Sequence, residues 1–102
     1  RGHRIFPDYA LHYDNKPEDE KAKVLIEAKY HMKNNQEIEA AFLQAFSYAK
    51  LLLSSVIILC DKECIMVYDD KNGFSRSRYK KYYWEDMKNP DLYNELKNKL
   101  NI

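Results

Sequence analysis

Apolar residues change period twice along this chain, and that change restricts the fold more than any other feature. From Asn35 to Ser54, the positions Ile38, Ala41, Phe42, Ala45, Ala49, Leu52 and Leu53 recur at three- and four-residue intervals among strong helix formers. This spacing predicts one amphipathic helix of about five turns. Before it, residues 23–30 alternate, with Val24, Ile26, Ala28 and Tyr30 pointing one way and Leu25, Glu27, Lys29 and His31 the other. After it, VIILC at 56–60 is apolar enough for a central strand, and CIMVYD at 64–69 follows across the short link DKE as its hairpin partner. A helix between two strands is most simply a crossover packed on a mixed sheet, so the expected class is α/β.

The flanking segments complete the order. A strand is expected near residues 8–13, with Pro7 at its start and the polar run DNKPEDE as the connection that follows. DDKNGF is a turn signal, RSRYKKYYW an extended stretch, and NPDLYNELKNKL a closing helix. In that helix Asn89 is placed to cap, Pro90 occupies the first helical position, and Leu92, Leu96 and Leu100 line one side. The length of 102 residues suits one small domain, 1–102, which buries roughly 60–70% of its unfolded surface. With strand-like sequence starting almost at Arg1, the segment is read as a piece of a longer chain.

Composition mainly excludes. A formal charge of +1 argues against a generally basic surface, so any case for nucleic acid rests on local clusters. The longest apolar run, AFLQAFSYAKLLLSSVIILC, is interrupted by Gln44, Tyr48 and Lys50, and no basic start with an apolar core stands near residue 1. The expectation is a soluble cytoplasmic protein with no membrane partner. Cys60 and Cys64 lack the further ligands of a zinc site and are read as structural thiols, with a cross-strand disulfide as the other possibility.

Two charges inside an otherwise apolar strand demand an explanation. Glu27 and Lys29 share a strand face. Either that face meets solvent and they form a surface ion pair, or it is a catalytic face on which a carboxylate helps hold a divalent metal beside an ammonium. Asp8 is the candidate second carboxylate, since a hairpin-like return through residues 14–22 sets it beside Glu27; Asp14, Glu18, Asp19 and Glu20 fall in the connection and are weaker choices. On the helix, Gln44 and Tyr48 are spaced i, i+4 at the margin of the apolar arc, as a boundary pair or as supports of a site. Arg76, Arg78, Lys80 and Lys81 interleave with Tyr79, Tyr82, Tyr83 and Trp84, which fits a solvated edge strand or a phosphate- and base-contacting segment. His3, His12 and His31 lack ligand spacing, although His31 shares the Glu27 and Lys29 face.

Taken in order, Pro7-Asp8, Glu27-Ala28-Lys29 and Gln44 to Tyr48 (QAFSY) resemble the PD-(D/E)xK nuclease superfamily with its Q-x-x-x-Y element. FPDYALHY, VLIEAKY, AFLQAFSYAKLL and VIILCDKECIMVYD follow the order of the N-terminal nuclease domain of the restriction (R) subunit of type I restriction-modification enzymes. YYWEDMKNPDLYNELKNKL is similar to the segment that often follows it. The resemblance implies a restriction-endonuclease-like core and hydrolysis of double-stranded DNA with Mg²⁺, or Mn²⁺ as substitute. It further implies metal binding by Asp8, Glu27 and the Ala28 carbonyl, with Lys29 as the catalytic lysine. Gln44 and Tyr48 become DNA-contacting or supporting residues, with Arg76, Arg78 and Lys80 as further DNA contacts, and other restriction-modification subunits become partners. The family core also begins with a helix ahead of the Asp strand, which this stretch does not include.

Overall fold

The computed structural model describes residues 7–16 and 19–101, with residues 15, 16 and 19 described by backbone alone. In chain order the elements are β1 (Tyr9–Lys16), β2 (Asp19–Ala28), α1 (Asn35–Leu52), β3 (Val56–Cys60), β4 (Cys64–Asp69), β5 (Lys80–Tyr83), a 3-10 turn (Trp84–Lys88) and α2 (Pro90–Leu100). The five strands form one mixed sheet in sequential order. β2 and β3 run parallel and the other neighbouring pairs antiparallel, so α1 is the crossover that the parallel pair requires.

Both faces of the sheet are covered, and the alternation along each strand sorts side chains between two cores. Ala41, Phe42, Ala45, Tyr48 and Ala49 of α1 pack on Leu25, Ile57, Leu59, Met66 and Tyr68. Val24, Ile58, Ile65, Val67 and Tyr82 face the other way and are closed over by Leu96 and Leu100 of α2. This explains why VIILC is apolar at every position: a central strand with two covered faces has no solvent side.

Local chemistry sets the helix ends. Asn34 caps α1 by accepting from the Glu37 N–H at 2.8 Å. Leu53, in the left-handed region at φ 53°, ends α1, and the Ser54 N–H bonds back to the Ala49 carbonyl at 2.9 Å. Asn89 caps α2 by accepting from the Asp91 N–H at 2.9 Å, with Pro90 at the first turn as expected. His12, at φ 54°, interrupts β1, and its Nε2 donates to the Leu100 carbonyl at 2.9 Å, tying β1 to the last turn of α2.

Two expectations are corrected. The stretch 14–22 is largely strand: β1 runs to Lys16 and β2 starts at Asp19, with Asp14 opposite Lys21. Residues 29 and 30 lie beyond β2, which ends at Ala28. Ala28, the last residue of β2, is exposed. Cys60 and Cys64 are free thiols, the first of the two readings open for them, and they serve opposite faces. No described helix is long and apolar enough to cross a membrane.

Candidate active site

The register of three strands brings the motif residues together at one end of the parallel pair. β1 pairs Tyr9 with Ile26, so Asp8, one residue earlier, comes level with Glu27. Its Oδ2 accepts the Ala28 N–H at 2.8 Å. The ladder between β2 and β3 closes at Ala28 and Cys60, and the Lys29 N–H still donates to the Cys60 carbonyl at 2.9 Å. Lys29 is therefore held by β3 although it lies outside the strand.

Side chains from α1 complete the cluster. The Lys29 ammonium stands 3.5 Å from Glu27 Oε2 and 3.5 Å from Gln44 Oε1. These are long contacts, so the ammonium is shared loosely between two oxygens. Gln44 Nε2 in turn donates to the Tyr48 hydroxyl at 3.2 Å, which fixes the amide with its oxygen toward Lys29. Tyr48 is buried, Gln44 and Asp8 are exposed, and the Lys29 side chain is 39% exposed, so the cluster opens to solvent on the lysine side.

Glu27 is the unusual member. It is 1% exposed, which rules out the surface ion pair as its explanation. Burial and the negative charge of Asp8 push its pKa up, while Lys29 and the Asp8 backbone pull it down without cancelling that rise. Among the described residues its Oε1 is the buried side-chain oxygen with no hydrogen-bond partner. A buried carboxylate oxygen left in this way costs free energy until a proton or a cation meets it.

Other candidates stand elsewhere. Arg78 pairs with Asp69 at 3.0 Å and donates to the Gly73 carbonyl; Asp69 lies opposite Val56, at the far end of β3 from Cys60. Arg76 reaches the Tyr68 hydroxyl at 3.5 Å, and Lys80 lies over the Tyr82 ring at 5.7 Å. The His31 ring meets Tyr30 edge-on at 4.4 Å. Of the weaker acidic candidates, Glu20 accepts from the Tyr13 hydroxyl at 2.7 Å, and Asp14 lies on the same hairpin; Glu18 and the Asp19 side chain lie outside the described residues.

One contributing residue escaped the sequence reading. Asp61 accepts from the N–H groups of Glu63 and Cys64, each at 2.9 Å, and from the Met32 N–H at 3.0 Å. Burial alone would raise its pKa, but the N–H donors of Cys64, Glu63 and Met32 outweigh it and hold the carboxyl below its usual range. Asp61 thus clamps the loop after Lys29 onto the β3–β4 turn. The Asp at the start of DKE carried the turn part of that signal; the Met32 contact spans distant sequence.

The described residues contain no cluster of three or more metal-ligating side chains; Asp8 and Glu27 are a carboxylate pair. Compared with protein-family models, curated proteins and solved structures, the chain matches none. Its described part is an α/β unit whose mixed five-stranded sheet carries a carboxylate and lysine cluster where the parallel pair ends.

Proposed function

We propose that the chain is a Mg²⁺-dependent DNA endonuclease domain of the PD-(D/E)xK, restriction-endonuclease-like kind, belonging to the R subunit of a type I restriction-modification enzyme. One observation carries the proposal: Asp8, Glu27, Lys29, Gln44 and Tyr48, scattered through the sequence, form one continuous run of contacts. A chance occurrence of PD, ExK and QxxxY would leave these side chains in unrelated places.

The residues also fit the metal that the resemblance implies. Mg²⁺ is usually held by one or two carboxylates together with water and substrate oxygens. Asp8 and Glu27 supply such a pair, and the unpartnered Glu27 Oε1 is an acceptor in want of a cation; the Ala28 carbonyl is the third donor by resemblance. When bound, the ion would supply charge neutralisation at the phosphate and a lowered pKa for a water molecule. The chain's own part is then positional. Tyr48 orients Gln44, and Gln44 with Glu27 holds the Lys29 ammonium at the solvent side of the cluster. From there Lys29 orients the water that adds to phosphorus and offsets charge building on the phosphate as the sugar oxygen leaves.

A second reading, a nuclease-like fold that binds DNA or assembles without cutting, is favoured by the gathering of two rather than three metal-ligating side chains among the described residues. A repair or junction-resolving nuclease would differ in substrate but use the same residues. Cleavage of duplex DNA in Mg²⁺, assayed in the full-length protein, separates the readings: Lys29→Ala should lose at least about 100-fold in rate. Cutting by that variant at the wild-type rate would remove the assignment, and a wild-type protein that binds duplex without cutting would favour the module.

A further inference from the structure

Beside the cluster, exposed aromatic rings and lysines form a path that the nuclease chemistry leaves unused. It starts at Tyr30, the residue after Lys29, whose side chain is 73% exposed. The Lys62 ammonium, on the β3–β4 turn, lies 5.2 Å from the Tyr30 ring centre. Lys62 also lines an open cleft of about 560 Å³ with Tyr83 and Trp84, which are 48% and 47% exposed. Lys81 then lies 5.2 Å from the Tyr83 ring centre.

The path is built rather than incidental to loose side chains. The Trp84 Nε1–H donates to the Asp61 carbonyl at 2.7 Å, which pins the indole against the turn. The same Asp61 holds the Met32 N–H, so the loop bearing Tyr30 and the turn bearing Lys62 are fastened to one residue. Register places Lys81 in the same transverse row as Glu27, through Leu59 and Met66, on the sheet face that carries the cluster. Three strand spacings separate the ends of that row, about 14 Å.

Rings that alternate with cations, all with a face or edge in solvent, suit unpaired bases better than a duplex, because a stacking ring needs a base with a free face. The charge balance agrees. Glu63, Glu85 and Asp86 also line the cleft. Asp86 is engaged with the Tyr83 N–H at 3.1 Å and Glu85 with Lys88 at 3.9 Å. The lysines are thus too few and too offset to hold the dense charge of a duplex, whereas stacking needs no net positive surface.

We infer that Tyr30, Lys62, Trp84, Tyr83 and Lys81 form a track for single-stranded DNA running from the Lys29 cluster to β5. This rests on the endonuclease proposal only for what the strand is doing there; binding is tested without cleavage. Trp84 is the sole tryptophan of residues 1–102, and the emission lost on Trp84→Phe isolates its signal in the full-length protein. With no divalent cation present, oligo(dT) should quench Trp84 saturably, and a blunt duplex at equal nucleotide concentration should not. Tyr30→Ala should weaken oligo(dT) binding by about 5-fold or more, the loss of one stacked base, while Tyr30→Phe restores it. An unchanged emission spectrum in the ligand-free variants shows that the turn is intact. Absence of quenching, equal quenching by duplex, tighter binding of oligo(rU), or an unaffected Tyr30→Ala each overturns the track. Quenching in a protein that never cleaves DNA would leave the track standing and remove the nuclease; cleavage without quenching would do the reverse.

Discussion

Two acid–base pairs lie at opposite ends of the sheet, and on paper they look alike. Asp69 and Arg78 meet at 3.0 Å with both side chains substantially exposed, and Asp69 also accepts the Lys71 N–H at 3.1 Å. That N–H and the Arg78 guanidinium hold the Asp69 carboxyl below its usual pKa range. Glu27 and Lys29 meet at 3.5 Å with the glutamate buried, one oxygen unpartnered, and its pKa pushed up by burial and by Asp8. The first pair is satisfied and ties a turn in place. The second is a carboxylate whose folding environment leaves it wanting a counter-charge, which is what a site for a cation and a phosphate requires.

If that contrast is right, divalent cations should stabilise one end of the molecule and not the other. Thermal unfolding of the wild-type chain should shift upward with Mg²⁺ or Mn²⁺, reaching about 2.7 kcal/mol at a hundredfold excess over the dissociation constant. For a domain of this size that is a rise of more than about 10 °C. Asp8→Asn should abolish the shift and Asp69→Asn should keep it; the opposite outcome would exchange the roles of the two ends.

A smaller effect is expected from the charge of Glu27 itself. Because its folded pKa lies above its ordinary value, the folded chain binds its proton more tightly than the unfolded chain. Stability without metal should therefore fall as pH rises from about 4.5 through the raised folded value, and the penalty should persist above it. Glu27→Gln should remove that slope, and without metal near pH 7.5 its thermal midpoint should equal or exceed the wild type's. A destabilised glutamine variant with an unchanged pH profile would show that the buried charge is already compensated.

The smallest effect belongs to the satisfied pair. Arg78→Ala should cost at most about 1 kcal/mol, weakened further by salt, as exposed ion pairs do. A loss of several kcal/mol in chemical denaturation would mean that the Arg78 contacts with Asp69 and Gly73 matter beyond a surface tie.

Much of this was legible in the residues. The change of period at Asn35, the apolar run Val56–Cys60 and the Asn89-Pro90 pair announced α1, β3 and the start of α2, because each depends on neighbours in the chain. The order of PD, EAK and QAFSY picked out side chains that the fold brings into contact. What it could not carry was their surroundings. Alternation at 23–30 sorts side chains to two faces without saying what covers each, and with helices on both faces it separates one core from another. Glu27 is buried for that reason, while Ala28 beside it is exposed.

By itself, then, the sequence determined the element types, the capped helix ends, and the chemical identity of the residues that meet at the cluster, since these follow from local propensity and from spacing along one strand or helix. Only the tertiary structure decided that Asp8 lies level with Glu27, that Gln44 reaches Lys29, that one glutamate oxygen goes unpartnered, and that Tyr30 continues toward Trp84. Those facts depend on strand register and on which elements shield a given point from water, and both are set by contacts between residues far apart in the chain.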